Sequence, residues 1–285
     1  MFQINWKLKS LLYKIFSQLK LNKTFYFIQK YVTKRSNVNI KSSVRSWKLH
    51  SENIKEHQIK TVLEIGAGKS LEQNIFFSYF FNNSLEQTVI DIKKMIDFDL
   101  VNEASKQISE LLNVQKLKSV SSYDDLFNFY NIKYIAPYKT QNLIEEKKVF
   151  DLCVSTAALE HFSIKDLRTL FKDLDIVLKK GGYISAIIDY SDHYSHTDRN
   201  ISELNFLKYS EKQWQNYNNT YLYQNRLRHD DYVKLLNEYK FITHKIIQGN
   251  IGKPPENLNE KFDLNNKNNF ILWAYFFAIN SNFRN

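Results

Sequence analysis

The chain has one cysteine, Cys153, among 285 residues. It can therefore hold no internal disulfide framework and no multi-cysteine metal site, and a reducing compartment such as the cytoplasm is the expected setting. Its longest uninterrupted apolar run, Phe270 to Ile279, reaches about half of the roughly 20 residues that a membrane-spanning helix needs. Internal repeats are missing, and asparagine-rich patches such as Asn265 to Asn269 are the nearest thing to low complexity. The net charge of +10 comes with no recognised nucleic-acid motif, which argues against nucleic acid as a partner. What is present, 43% hydrophobic residues with 15% aromatics, is ample for the core of one large domain or two small ones.

Acidic residues are wholly missing from the first fifty positions, which hold eleven of the 40 lysines and arginines; the other 29 are matched by 30 acidic residues. The excess positive charge thus sits on an N-terminal arm. Within it Leu8, Leu11, Leu12, Ile15, Phe16 and Leu19 recur at helical spacing, the pattern of a basic amphipathic helix. Such a helix could pack on the domain, lie on anionic lipid or be a cleaved targeting peptide. The preference for lysine and the aromatics Phe25, Tyr26, Phe27 and Tyr31 count against the last. We expect residues 1–57 to form a helical arm, with residues 1–34 able to meet an anionic membrane surface, and residues 58–285 to form the domain.

The domain is organised around Thr61 to Ser70, TVLEIGAGKS. Val62, Leu63 and Ile65 suit a buried parallel strand, and Gly66 and Gly68 let the backbone turn sharply beside a ligand. A dinucleotide loop would read G-x-G-x-x-G, but the third glycine position is Leu71 and an acid, Glu64, precedes the first. That carboxylate repels phosphate and favours a ligand carrying an ammonium or sulfonium charge, as S-adenosylmethionine does. Here the sequence resembles the class I S-adenosylmethionine-dependent methyltransferases, whose first motif is an acid, any residue, then G-x-G. The resemblance runs from about residue 58 to 280. It implies a Rossmann-like α/β fold with a doubly wound seven-stranded sheet, its last two strands an antiparallel pair.

Further segments fall in the matching order. A helix over 44–58 should lead into the first strand with Trp47 near the cofactor mouth. Glu86 to Ile92 reads as the second strand, with Asp91 at its tip, 23 residues beyond Gly68, placed to accept hydrogen bonds from ribose hydroxyls. The family's acid after the third strand is replaced by Tyr138 and Lys139, so the adenine contacts have no assignment. FDLCVSTAALEHF, Phe150 to Phe162, resembles the fourth strand and its loop, with Glu160 and His161 opening a helix that the acid could simply cap. LKKGG, Leu178 to Gly182, resembles the turn before the fifth strand, and its glycine pair is expected to close the preceding helix in a left-handed conformation. The expected cofactor residues are Glu64, Gly66, Ala67, Gly68, Asp91, Ile92, Ser155 and Thr156.

Beyond the fifth strand, Asp189, Asp192, His193, His196 and Asp198 lie within ten residues. The cluster could hold a metal, act as a general base or only bind substrate. We expect a base without a metal, ranking His193 first, then His196, with Asp189 and His161 as further catalytic candidates. A lid is expected over 191–229, with Trp214, Tyr217, Arg226 and Arg228 as substrate contacts, the arginines suited to an anion. This tract resembles a methyltransferase group of bacterial glycan loci. The expected activity is methyl transfer to a hydroxyl or amine of a small-molecule or saccharide acceptor, lipid- or nucleotide-linked in one form of that reading. A different reading is a non-catalytic S-adenosylmethionine-binding module serving as a membrane-associated partner subunit.

Overall fold

The structure, a computed structural model, describes residues 3–28, 38–116 and 118–281; Tyr31 and part of the expected lipid-facing segment lie outside them. The chain runs α1 (Trp6–Gln18), α2 (Asn22–Phe27), α3 (Ile40–Glu56), β1 (Thr61–Ile65), α4 (Glu72–Phe80), β2 (Glu86–Ile90), α5 (Phe98–Leu112), α6 (Tyr123–Tyr130) and β3 (Ile132–Ile135). It continues through α7 (Thr140–Glu145), β4 (Phe150–Thr156), α8 (Ile164–Val177), β5 (Leu178–Asp189), α9 (Glu211–Gln215), α10 (His229–Glu238), β6 (Phe241–Gln248) and β7 (Trp273–Asn280).

The seven strands form one sheet in the order β3-β2-β1-β4-β5-β7-β6. β1 to β5 are parallel, and β7 runs antiparallel between β5 and β6. This is the expected doubly wound fold with its closing antiparallel pair. Alternation along each strand sends residues to opposite faces: Val62, Leu152, Val154 and Tyr275 join α3, α4 and α5, while Leu63, Cys153, Ala186 and Phe276 join α8 and α10. Order reverses between β1 and β4, so their C-terminal ends splay apart and leave a crevice for a ligand.

Two local readings are corrected. The glycine pair does not close α8, because β5 begins directly at Leu178 and its pairing jumps from Phe150↔Leu178 to Leu152↔Tyr183. Gly181, with φ +71°, sits in that bulge. Likewise Glu160 caps no helix: it lies in a 3-10 turn, Leu159–His161, and α8 is capped by Ser163, whose hydroxyl accepts from the Asp166 N–H at 3.1 Å.

The arm divides in two. α3 is part of the domain, with Trp47 packed on Phe76 at 5.3 Å and Ile54 buried. α1 rests on the lid by its polar side: the Trp6 N–H donates to Asp198 Oδ2 at 2.8 Å, Lys9 Nζ donates to Thr197 Oγ1 at 3.0 Å, and Ser10 Oγ donates to the Tyr217 carbonyl at 3.1 Å. Trp6 plugs into the lid core among Tyr194, Phe206 and Trp214. The apolar stripe Leu8, Leu11, Leu12, Ile15 and Leu19 faces outward, between 38% and 62% exposed. Among the described residues no helix is long and apolar enough to cross a membrane.

Candidate active site

A cleft of about 880 Å³ opens between α3 and the C-terminal ends of β1, β4 and β5. Its walls include Trp47 from α3, Glu64, Gly66 and Ala67 from the end of β1 and the loop after it, Thr156 at the end of β4, and Asp189, Ser191 and His196 at and beyond the end of β5. Gly66 has φ +81°, and a Cβ there would meet the Ala158 Cβ at 2.5 Å. The glycine is thus required by the close approach of the loop after β4. Gly68, with φ +74°, faces open space.

Behind this wall runs a chain of buried hydrogen bonds whose direction can be worked out. Gln73 Nε2 donates to Glu64 Oε1 at 3.0 Å, and Asn74 Nδ2 to Glu64 Oε2 at 2.7 Å. Gln73 Oε1 can only accept, so Thr156 Oγ1 donates to it at 2.8 Å. Thr156 has then spent its proton, and His50 Nε2, 3.0 Å away, must be the N–H that donates to it. His50 Nδ1 therefore accepts from Ser185 Oγ at 2.6 Å, which accepts from the Tyr275 hydroxyl at 3.0 Å, which accepts from Asn53 Nδ2 at 2.6 Å. Every donation points the same way, toward Glu64. His50 is held neutral, its pKa lowered to about 3 by burial. Burial pushes Glu64 up to about 7 despite its two amide donors.

Asp91 lies one residue past β2, whose Ile90 pairs with Ile65. Its Oδ2 is buried and has no hydrogen-bond partner among the described residues, and burial pushes the carboxyl up to about 6. Two donors supplied by a ligand, such as ribose hydroxyls, would satisfy it, but Asp91 is not among the residues that line the cleft. Ile92, next in the chain, is 65% exposed. Ser155 is turned inward and donates to the Ile65 carbonyl at 3.1 Å, so it fastens β4 to β1.

At the end of β5, Ser191 Oγ donates to Asp189 Oδ1 at 2.6 Å and lies 3.3 Å from His196 Nε2. With the serine proton committed to an ionised carboxylate, whose pKa the nearby His193 and the hydrogen bonds donated by Ser191 hold low against burial, His196 Nε2 carries the proton toward Ser191. His193 Nε2 lies 3.3 Å from Asp189 Oδ2, and the rings of His161 and His193 are 5.0 Å apart. Of the catalytic candidates, Asp189 and His196 line the cleft, whereas His193 and His161 stand behind Asp189.

The four expected substrate contacts belong to the interior of the lid. Trp214 is buried against Phe206, with ring centres 5.7 Å apart, and Tyr217 lies 4.6 Å from Trp6. The Arg228 guanidinium donates to three carbonyls, those of Asn269 at 2.7 Å, Tyr190 at 2.7 Å and Ile271 at 2.6 Å. Arg226 donates to the Phe206 carbonyl at 2.9 Å and pairs with Glu211 at 2.8 Å. These donors brace loops and leave little for an anion. Local reading missed Arg45, an arginine on the cleft wall from α3, along with His50 and Ser191; the charge and spacing of the α3 segment offered the only hint of Arg45.

Comparison with known proteins bears on this cleft. Residues 63–186 match the methyltransferase domain family, and no curated protein matches. Among solved structures, a candidate sarcosine dimethylglycine methyltransferase from Galdieria sulphuraria is 15% identical, over 84% of this chain and 86% of that one, with a TM-score of 0.48. The N-methyltransferase NodS from Bradyrhizobium japonicum WM9 is 12% identical, over 78% and 85%, with a TM-score of 0.40. Geranyl diphosphate C-methyltransferase from Streptomyces coelicolor A3(2), solved with Mg2+, geranyl diphosphate and S-adenosyl-L-homocysteine, is 11% identical, over 78% and 73%, with a TM-score of 0.43. Residues 63–186 are thus similar to a methyltransferase domain, and S-adenosylmethionine is the cofactor this match indicates.

Proposed function

We propose that this chain transfers a methyl group from S-adenosylmethionine to a hydroxyl or amine of a small-molecule or saccharide acceptor. The observation that carries the acceptor chemistry is the His196–Ser191–Asp189 relay on the cleft wall. Bound in the cleft, the cofactor supplies an electrophilic methyl on a sulfonium. Asp91, at the end of β2, would accept from its ribose hydroxyls, and Arg45 on the cleft wall would offer a cation to its carboxylate. In the reaction an acceptor O–C or N–C bond would form as the sulfur–methyl bond breaks, with the acceptor's proton passing to His196 on the cleft wall. Asp189 offsets the charge that the imidazole gains, by way of Ser191. Most of the rate comes from holding acceptor and methyl in line within a walled cleft.

The outward stripe of α1 extends this reading to the setting of the reaction. Five exposed apolar residues on a helix within an acid-free, eleven-cation stretch have the chemistry of a helix lying on anionic lipid. A lipid-linked saccharide, as the resemblance to methyltransferases of glycan loci implies, would be met there.

Incubation with methyl-labelled S-adenosylmethionine and candidate saccharides, followed by mass spectrometry, identifies the acceptor. A His196→Gln variant should keep cofactor affinity within a few-fold and lose roughly 10²- to 10⁴-fold in turnover. Unchanged turnover in that variant would remove the base assignment.

A further inference from the structure

One group near the cleft is used by nothing in the scheme above. Glu160 is buried, and neither carboxylate oxygen has a hydrogen-bond partner among the described residues. Its own N–H and that of Asp189 lie nearby without forming a well-directed bond. An ionised carboxylate so placed needs a cation, and a protonated one leaves an O–H donor and a carbonyl acceptor unsatisfied. What surrounds it is a pair of imidazoles. The ligand atoms of Glu160, His161 and His193 lie within 4.8 Å of one another, and a second carboxylate, Asp189, is 3.3 Å from His193 Nε2.

We infer that Glu160, His161 and His193 form a binding site for a first-row divalent metal ion. The His161 Nδ1–H donates to the Tyr223 carbonyl at 2.6 Å, which fixes the tautomer and leaves Nε2 with its lone pair, as a carbonyl partner does for metal-binding histidines. His193 Nε2 is buried without a well-formed hydrogen bond. The lid holds the turn that carries two of the ligands: the Asn225 N–H donates to the Glu160 carbonyl at 2.9 Å, and its Nδ2 donates to the carbonyls of Leu159 at 3.1 Å and Phe162 at 3.0 Å. An ion bonded at about 2.0–2.2 Å draws its ligands to roughly 3–4 Å apart, so small rotations of the imidazoles close the set. Two neutral nitrogens and a carboxylate without sulfur suit Zn2+, Fe2+, Mn2+ or Co2+ better than Mg2+. His161 is exposed, which leaves coordination positions open on the solvent side. If the methyltransferase reading holds, on which this last role alone rests, the ion lies behind Asp189 and sets the charge of that part of the cleft wall without touching the acceptor.

The test uses the untagged full chain, stripped with chelator and titrated with Co2+ as a spectroscopic probe. One equivalent should give visible d–d absorption, displaced by Zn2+. Glu160→Gln, a neutral isostere that removes a buried charge and so should fold, and His193→Gln should each weaken Co2+ binding by tenfold or more. Circular dichroism and S-adenosylmethionine binding follow folding and cofactor site in the same samples. No stoichiometric Co2+ binding by the folded wild type, or equal binding by both variants, overturns the site. Cofactor binding without Co2+ binding contradicts the metal site alone. Co2+ binding lost in the variants, without cofactor binding, contradicts the methyltransferase reading alone.

Discussion

His50 shows how a single residue ties stability to pH. Its imidazole stays neutral in the fold with a pKa of about 3, against 6.5 for the free side chain. A depressed pKa means that the unfolded chain binds the proton more tightly, so the contribution of His50 is present above pH 6.5 and is lost as pH falls toward 3. The loss runs at up to about 1.4 kcal/mol per pH unit. Glu64 and Asp91, raised to about 7 and about 6, work in the opposite sense, so the wild-type curve alone does not isolate the effect. A His50→Gln comparison does. Denaturant melts should show wild type ahead by roughly 1–3 kcal/mol at pH 7.5, from the buried partners left unsatisfied, and the gap should narrow by pH 5. A gap that does not change with pH contradicts the directed chain. None of this was readable from sequence, because the partners of His50 are Thr156 and Ser185, more than a hundred positions away.

Elements were more legible than their roles. β1 and β4 are short runs dominated by apolar residues and bounded by turn residues, the pattern of buried parallel strands. β5 starts earlier than its sequence implies, since Leu178 is claimed by Phe150 across the sheet, a tertiary pairing that local turn chemistry does not reveal. The arginines of the lid were expected to bind an anion, yet carbonyls about forty residues further along take the Arg228 donors. For α1 the periodicity was plain while its orientation was not: Trp6, Lys9 and Ser10 are the buried residues, and the leucine stripe is outside. In vesicle sedimentation the full chain should pellet with anionic but not neutral lipid and release in high salt. Replacing Leu8, Leu11 and Ile15 with serine should abolish pelleting, at little cost to stability because these side chains are already solvated. Equal pelleting by that variant would contradict the lipid reading.

At the scale of the molecule, the N-terminal helices tie together two parts of the domain that are far apart in sequence. α1 is fastened to the lid, and Phe25 of α2 stacks on Tyr221 of the lid at 4.0 Å, while Tyr26 donates to Asp97 and carries Lys69 Nζ 3.7 Å above its ring. The arm therefore bridges the segment after β5 to the loop after β1. The doubly wound sheet and its binding edge followed from the order of apolar runs and glycine turns. The histidine and aspartate cluster at the end of β5 is plain in the composition, but which histidine meets the cleft depends on the loop's path, which only the folded chain shows.

The most direct test of the account is calorimetry of S-adenosylmethionine and S-adenosylhomocysteine binding to the full chain. We expect micromolar affinity for both at pH 7.5. Affinity should fall below about pH 6, where Asp91 takes up a proton and can no longer accept from the ribose as a carboxylate. Asp91→Asn should bind about 1–3 kcal/mol more weakly and lack that pH limb. No heat for either ligand at high concentration of a demonstrably folded protein would contradict the central claim.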